Sequence, residues 1–205
     1  NSGVTGLVPG TAYTFTWTFV TPGCTSETST VIITAVAGPG CAVVCPSSYT
    51  NTVDEWFTNV TFDGNSYTTG SSNYDNSNIG SCMTVTQGSS YTLSATWFAS
   101  SATFIEEAYA FFDWNGDGDF DDLNEAQELG NSTGSGSGTI DIIIPCSGAV
   151  IGSVTMRIML WAQVGGPPTG CTSGTYGETE DYCITITAAP TPLAVTASNL
   201  PLCSS

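Results

Sequence analysis

One stretch of the sequence concentrates the side chains that could bind a metal cation. Half of the 18 acidic residues fall between positions 106 and 128. Within that stretch, residues 113–125 read DWNGDGDFDDLNE, and this segment is called the acidic loop below. Oxygen-bearing side chains stand at alternate positions, and a glycine occupies the sixth position, as a seven-coordinate Ca²⁺ loop requires. The nine acids are Glu106, Glu107, Asp113, Asp117, Asp119, Asp121, Asp122, Glu125 and Glu128.

The spacing predicts a structural Ca²⁺ site in a loop that follows a strand. Its final acid is at the thirteenth loop position and not the twelfth, and residues 109–114 have the pattern of a strand, so the loop differs from an EF-hand. The alternative is a solvated acidic loop without an ion. So many carboxylates without Lys or Arg nearby repel one another, which favours a bound cation. The predicted ligands are Asp113, Asn115, Asp117, Asp119 (through a main-chain carbonyl nearby) and Glu125.

The second chemically distinctive residue is Arg157, the only basic residue in a chain that has no Lys and no His. It lies in the alternating segment 154–160, which predicts that it stands on one face of a sheet. We predict a structural ion pair with Glu178, Glu180 or Asp181, since an arginine can bind a carboxylate through two parallel hydrogen bonds. The alternative is a solvated arginine on the surface.

The composition argues against several classes of function. A formal charge of −17 disfavours nucleic acid, whose binding depends on basic residues, and disfavours insertion at an anionic membrane surface. Without histidine, Ser-His and Cys-His nucleophile systems are excluded. Glu178 and Glu180 form a possible carboxylate pair for glycoside hydrolysis, but a structural ion pair is the simpler role for them. We therefore predict that the chain is not an enzyme.

The eight cysteines indicate an oxidising environment. An even number of cysteines without histidine favours disulfides over a zinc site, although the sequence does not determine their connectivity. No apolar run is long enough for a transmembrane helix, and no signal peptide is visible. We expect a mature or excised portion of a longer secreted chain. The disulfide candidates are Cys24, Cys41, Cys45, Cys82, Cys146, Cys171, Cys183 and Cys203.

The pattern of apolar residues predicts an all-β chain, with a β-sandwich at its centre. Residues 11–20 alternate strictly, and no segment has the pattern of an amphipathic helix. Segments rich in Gly, Pro or Ser at 37–40, 130–138 and 188–192 are predicted to separate elements. They divide the chain into partial β-domains at 1–37 and 190–205 and a sandwich at 38–189. Strands are predicted at 11–20, 28–36, 56–62, 83–86, 91–98, 109–114, 139–144, 154–161 and 182–187.

Three motifs in order resemble those of the GEVED domain family. Residues 176–182 read YGETEDY, with Thr where the family usually has Val. The acidic loop is similar to the family's DWNxDGDF motif, residues 156–158 to its MRI segment, and Cys171 stands shortly before the GEVED-like motif. The resemblance covers about residues 45–187. It implies a β-sandwich module of large secreted bacterial proteins of the Bacteroidetes type.

The flanking segments resemble, more weakly, the Ig-like or fibronectin-like repeats found in such proteins. Cys24 and Cys203 stand where those repeats often carry a pair. Here they could pair with each other only if the two ends meet, or across subunits. The resemblance therefore implies partial Ig-like β segments on both sides of the sandwich.

These observations predict an extracellular structural or adhesive module of a cell-surface protein or filament, stabilised by Ca²⁺ and disulfides. Its expected partners are neighbouring repeats or further copies of the same chain. The alternative is a carbohydrate- or substrate-binding accessory module of a secreted enzyme. In that case Trp56, Trp97 or Trp161 would stack on the sugar rings of glycans, although such residues are more often part of the core.

Overall fold

The computed structural model describes residues 12–19, 27–34, 43–162 and 167–190. In these ranges every helix or strand is a β-strand, in agreement with the predicted all-β class. No helix in these ranges is long and apolar enough to cross a membrane. The strands are β1 (Ala12–Phe19), β2 (Glu27–Thr34), β3 (Glu55–Phe62), β4 (Asn65–Thr68), β5 (Met83–Thr86), β6 (Ser90–Ala99), β7 (Ile105–Phe112), β8 (Ala126–Thr133), β9 (Gly136–Ile143), β10 (Gly152–Ala162) and β11 (Gly177–Thr187).

The first two strands form an antiparallel hairpin as a two-stranded sheet of their own. Tyr13 stands opposite Ile33 and Phe15 opposite Val31, so the alternating residues of the two strands are in register. The strict alternation in the sequence predicts this pairing, since a period of two places alternate side chains on one face. Whether the hairpin belongs to an Ig-like repeat stays a prediction, and residues 20–26 and 35–42 lie outside the described ranges.

The remaining nine strands form a sandwich of two sheets. The five-stranded sheet has the order β5-β11-β10-β7-β8, and the four-stranded sheet has the order β4-β3-β6-β9. All neighbours are antiparallel except β5 and β11. Apolar side chains from both sheets form one core, among them Phe57 and Leu93 from one sheet and Met156 and Tyr182 from the other. The predicted β-sandwich is confirmed.

The five-stranded sheet is covered on its outer face as well. Every residue of β10 from Val154 to Leu160 is buried. Met156 and Ile158 face the core between the sheets, whereas Met159 belongs to a second apolar cluster with Tyr49 and Phe120. Burial on both faces explains why Ile158, Met159 and Leu160 are apolar at consecutive positions. Through Phe120, this second cluster packs the acidic loop against the outer face of the sheet.

The glycine- and serine-rich segment 130–138 separates two strands only at residues 134–135, and the rest of it is strand and not a linker. It forms the end of β8 and the start of β9, which are edge strands of the two different sheets. A Cβ atom on Gly138 would stand 2.3 Å from the main-chain oxygen of Leu129. Glycine is required here because the two backbones approach too closely for a side chain. Strands β4 and β8 are also absent from the predicted strands, since most of their residues are polar or glycine.

The predicted domain limits are only partly within the described ranges. The sandwich occupies the described residues from position 43 onwards, and its last strand ends at Thr187. The predicted boundary at 37/38 and the predicted segment from residue 191 onwards lie outside the described residues.

Candidate functional site

The acidic loop begins where β7 ends, and its first acid is buried. Asp113 is 0% exposed, and its two carboxylate oxygens accept hydrogen bonds from the main-chain N–H groups of Asp117 (3.0 Å) and Gly118 (3.2 Å). Gly116 and Gly118 both have positive φ angles, 75° and 96°. These left-handed residues, which glycine adopts without strain, turn the chain back over the Asp113 carboxylate.

The last acid of the loop has a similar role at the other end. Glu125 is buried, and its carboxylate accepts hydrogen bonds from the main-chain N–H groups of Trp114 (2.8 Å) and Asp122 (3.2 Å). Burial raises the pKa of Asp113, and burial with the nearby Asp113 and Asp122 charges raises the pKa of Glu125 to about 7. The two residues thus organise the loop from its ends.

A second group of acids lies between these ends and is more exposed. Asp117, Asp119 and Asp122 each offer a carboxylate oxygen, and the three oxygens lie within 4.8 Å of one another. The side-chain amide nitrogen of Asn115 donates to Asp117 (2.7 Å) and to Asp122. Hydrogen bonding to Asp119 and the charge of that residue raise the pKa of the neighbouring Asp121. Three convergent carboxylates suit a hard divalent cation such as Ca²⁺.

The structure therefore brings together only part of the predicted ligand set. Asp117 and Asp119 lie in the three-carboxylate group, and Asp122, which the ligand prediction omitted, completes it. Asp113 and Glu125 are not in this group, because their oxygens bind the main chain of the loop. Asn115 donates from its amide nitrogen to Asp117, and its Oδ1 accepts a hydrogen bond from the main-chain N–H of Asp117 (3.0 Å). Asp122 breaks the alternate spacing, so the periodic pattern alone could not find it.

Arg157 lies on the outer face of the five-stranded sheet and is 1% exposed. Its Nε donates to Asp181 Oδ1 at 2.7 Å and its Nη2 to Asp181 Oδ2 at 2.8 Å, which is a bidentate pair. Its Nη1 donates to the carbonyl oxygens of Cys45 (2.8 Å) and Gly170 (2.7 Å). We call Arg157, Asp181 and these two carbonyl groups the arginine anchor.

The arginine anchor connects three separate parts of the chain. Cys45 and Cys171 form a disulfide across 126 residues, which places the two carbonyl groups beside the guanidinium. The ring of Phe120, from the acidic loop, lies 5.1 Å from Arg157 Cζ, within the range of a cation–π contact. A main-chain hydrogen bond from Cys45 N to Gly118 O (2.9 Å) also ties this segment to the loop. The arginine anchor thus contacts the acidic loop through Phe120 and through the hydrogen bond from Cys45 to Gly118.

Of the three predicted partners of Arg157, only Asp181 is its ion-pair partner. Arg157 and Asp181 stand opposite each other in the register of β10 and β11, so they share the outer face. Glu178 and Glu180 have the opposite parity in β11 and therefore point toward the core. The prediction is wrong for these two residues, because successive positions of a strand face opposite sides of the sheet.

The two inward glutamates have neutral partners. Glu178 accepts hydrogen bonds from the N–H groups of Phe57 (2.6 Å) and Ser72 (2.7 Å) and from the Ser72 hydroxyl (2.8 Å). Glu180 accepts from the hydroxyl of Tyr182. Burial raises the pKa of Glu178 to about 7, and burial together with the Glu178 charge raises that of Glu180 to about 8. The Glu178 carboxylate thus joins β11 to β3 and to the loop after β4, whereas the Glu180 bond lies within β11.

The disulfide framework accounts for four of the eight candidate cysteines. Cys45 pairs with Cys171, and Cys82 pairs with Cys183. Cys146 is free and exposed. Cys24, Cys41 and Cys203 lie outside the described residues, so their predicted involvement in disulfides stays a prediction.

The order of these features agrees with a known family. Residues 107–185 match the model of the GEVED domain. This region is similar to the GEVED domain. The match includes the acidic loop, Arg157 and the motif at the start of β11. No curated protein matches the chain.

In the region that matches the GEVED model, the acids of the motif lie on both faces of β11. Glu178 and Glu180 bind groups inside the sandwich, and Asp181 holds the buried arginine on the outside. The GEVED domain and the two disulfides fit an extracellular β-module.

The three tryptophans predicted as possible sugar-stacking residues have different surroundings. Trp97 is buried in the core, and its Nε1 donates to Ser132 Oγ at 2.9 Å. Trp161 packs against the second apolar cluster beside Tyr49, with ring centroids 6.2 Å apart. Trp56 is half-buried and stands opposite Phe98 in the register of β3 and β6, with ring centroids 4.3 Å apart.

Proposed function

We propose that this chain is a structural module of an extracellular assembly, either a large surface protein or a filament, in which Ca²⁺ and disulfides make one link rigid. The observation that carries this proposal is the position of the arginine anchor. The only basic residue of the chain joins the GEVED motif, a disulfide and the acidic loop. The charged side chains of the arginine anchor thus hold separate segments of the chain together.

Ca²⁺ has a defined place in this proposal. Asp117, Asp119 and Asp122 would supply carboxylate ligands, and the buried Asp113 and Glu125 would hold the loop main chain in position around them. The donor set consists of oxygen atoms alone, which is the chemistry that Ca²⁺ prefers. A bound cation would offset the repulsion between the carboxylates and fix the loop.

The same proposal treats the module as non-enzymatic. Glu178 and Glu180 are both buried in the sandwich and accept hydrogen bonds from residues of the fold. A glycosidase needs its carboxyl pair beside the sugar, in contact with substrate and water. The burial of these two residues supports a structural role for them.

Electron microscopy tests the structural role. Purified protein, in Ca²⁺ and in chelator, would be imaged by negative staining and sized by chromatography. Ordered polymers or end-to-end contacts between copies or neighbouring repeats are expected, with more disorder in chelator. A protein that stays monomeric under all conditions and binds glycans specifically would contradict the proposal.

A carbohydrate-binding accessory module is the second candidate, and one observation favours it. Trp56 and Phe98 form an aromatic pair on the four-stranded sheet, and Phe98 is exposed. Stacking of sugar rings on such a pair would explain its exposure. A glycan array with the native protein and the Trp56→Ala variant tests this candidate: hits that the variant loses would support it.

A further inference from the structure

A cavity of about 350 Å³ lies at the other end of β7 from the acidic loop. Glu106 is near the start of β7 and Asp113 follows its end, a distance of about 20 Å along a strand. The ends of several strands line the cavity, including Glu55 at the start of β3 and Glu106. It is therefore a separate feature from the site described above.

Two buried carboxyl groups in this cavity have unused oxygen atoms. Glu55 is 4% exposed and Glu106 is 2% exposed, and both line the cavity. Glu55 Oε1 and Glu106 Oε2 have no hydrogen-bond partner. Burial, the charge of Glu106 and the charge of Asp54 raise the pKa of Glu55 to about 7. Buried carboxylates are costly unless they are paired, so the two free oxygens indicate a missing donor.

Besides Asp54, Ser100 and Ser101, the remaining lining residues are aliphatic or aromatic. Phe104 is 63% exposed and Tyr176 is 46% exposed, and both residues line the cavity together with Ala99 and Ala162. Acceptors in the interior with aromatic and aliphatic walls suit a ligand that has a charged donor on an apolar stem. Cations are also attracted to the faces of aromatic rings.

We propose that this cavity binds the ammonium or guanidinium group of an organic cation, whose hydrogen bonds Glu55 and Glu106 accept and whose apolar stem contacts Phe104 and Tyr176. The ligand comes from outside these 205 residues. The sequence contains no Lys, and its single Arg is buried in the arginine anchor. No accessible side chain of a second copy of the same sequence could supply the cation either.

A metal ion is the less suitable occupant. Within the described residues, three convergent ligand atoms occur at Asp117, Asp119 and Asp122 and not in this cavity. The third acid of the cavity, Asp54, already accepts hydrogen bonds from Asn51 (2.6 Å) and Ser100 (3.0 Å). Ca²⁺ requires six to eight oxygen ligands, and the apolar walls do not provide them.

Calorimetric titration with simple cations tests the proposal. The probes are n-butylammonium and n-butylguanidinium, with n-butanol as the neutral control, in about 0.15 M salt to screen the general charge of the protein. The experiment is done with Ca²⁺ present throughout, so that the acidic loop does not compete for the probes. Saturable binding of at least one cation, with no binding of butanol, is expected.

Isosteric variants locate the binding. Glu106→Gln and Glu55→Gln should each weaken binding about tenfold or more, since each removes a charged acceptor. Glu128→Gln is the matched control, because it makes the same change at an exposed residue, and it should leave the affinity unchanged. The cation could belong to a free small molecule or to a side chain of a partner protein. A peptide-like probe, N-acetyl-lysine methylamide, distinguishes these two sources: tighter binding than butylammonium would indicate a lysine side chain of a partner.

One further variant does not depend on the buried residues. Phe104→Ala removes an exposed ring and should weaken cation binding about two- to fivefold while leaving the melting temperature unchanged. The proposal is overturned if neither cation binds saturably in the millimolar range, or if butanol binds equally well. Equal affinities for Glu106→Gln and Glu128→Gln, or displacement of the probe by one equivalent of additional Ca²⁺, would also overturn it. Loss of Ca²⁺ binding at the acidic loop alone would leave it standing.

Discussion

The acidic loop and the arginine anchor are adjacent regions that handle negative charge in different ways. In the anchor one carboxylate, Asp181, meets one guanidinium at 2.7 Å and 2.8 Å, and both are buried. In the loop, three carboxylates converge without a cationic side chain among them. Phe120 belongs to the loop and lies against Arg157, so the two regions are in direct contact.

This difference indicates where the chain provides its own counter-charge. The buried carboxylate is balanced internally, since a buried unpaired charge would strongly oppose folding. The three carboxylates of the loop, of which Asp117 and Asp122 are exposed, have a geometry that suits a cation from solution. The domain thus combines a fixed internal ion pair with a site suited to an external ion.

Removing Arg157 should have the largest effect. Arg157→Met leaves Asp181 buried without its cation and leaves the carbonyl groups of Cys45 and Gly170 without their donor. We expect a loss of about 3–5 kcal/mol in the free energy of unfolding, measured by chemical denaturation. Arg157→Lys keeps the charge but not the two parallel hydrogen bonds, and should retain part of the stability. A neutral Arg157→Met variant would contradict the role of the anchor.

Removing the disulfide beside the anchor should have the next largest effect. Replacing Cys45 and Cys171 by Ser opens a loop of 126 residues and should cost about 2–5 kcal/mol of stability. The matched control is the pair Cys82 and Cys183, which closes a loop of 101 residues and has a similar entropic effect. The first variant should also lower the Ca²⁺ affinity, because the main-chain N–H of Cys45 donates a hydrogen bond to the carbonyl oxygen of Gly118 in the loop. The second variant should leave the Ca²⁺ affinity unchanged. Equal Ca²⁺ affinities of the two variants would show that the arginine anchor does not stabilise the acidic loop.

A smaller effect should appear in the pH dependence of stability. Burial raises the pKa of Glu180 to about 8, above its ordinary value of 4.5, so the folded state binds a proton that the unfolded state releases. The contribution of Glu180 to stability is therefore fully present below about pH 4.5 and is lost as the pH rises toward 8. In chelator, Glu180→Gln should flatten this decrease relative to the native protein, as followed by thermal melts from pH 4.5 to 8. An unchanged slope would show that Glu180 is ionised when folded.

The groups around Glu180 also affect its pKa. Glu178 and Asp75 both oppose its ionisation, and the hydroxyls of Tyr182 and Thr69 support it. Glu128→Gln alters an exposed carboxylate and serves as the control, with an expected slope equal to that of the native protein.

The sequence predicts the sandwich and most of its strands because alternation and aromatic content are local signals. It also predicts that Arg157 pairs with an acid of the GEVED motif. The choice of Asp181 follows from the register of β10 and β11, which a single strand does not reveal. Glu178 and Glu180 can be ruled out as partners of Arg157 only when it is known which residues of β11 lie on the outer face of the sheet.

The remaining differences arise from contacts between distant segments. Gly138 reads as part of a linker until the backbone of Leu129 is found beside it. Asp122 joins Asp117 and Asp119 because the loop folds back on the buried Asp113 and Glu125. The carboxyl pair of Glu55 and Glu106 comes from opposite sheets, so no spacing in the sequence could connect them.

Calorimetry with Ca²⁺ is the most direct test of the claim that the acidic loop takes its counter-charge from solution. The native protein should bind about one equivalent of Ca²⁺, and its melting temperature should rise by several degrees over that in chelator. At a concentration about 100 times the Kd, the stabilisation would be about 2.7 kcal/mol. Asp119→Asn should weaken both responses, and Asp141→Asn, an exposed acid outside the loop, should not. No heat of binding, together with an unchanged melting temperature, would contradict the account.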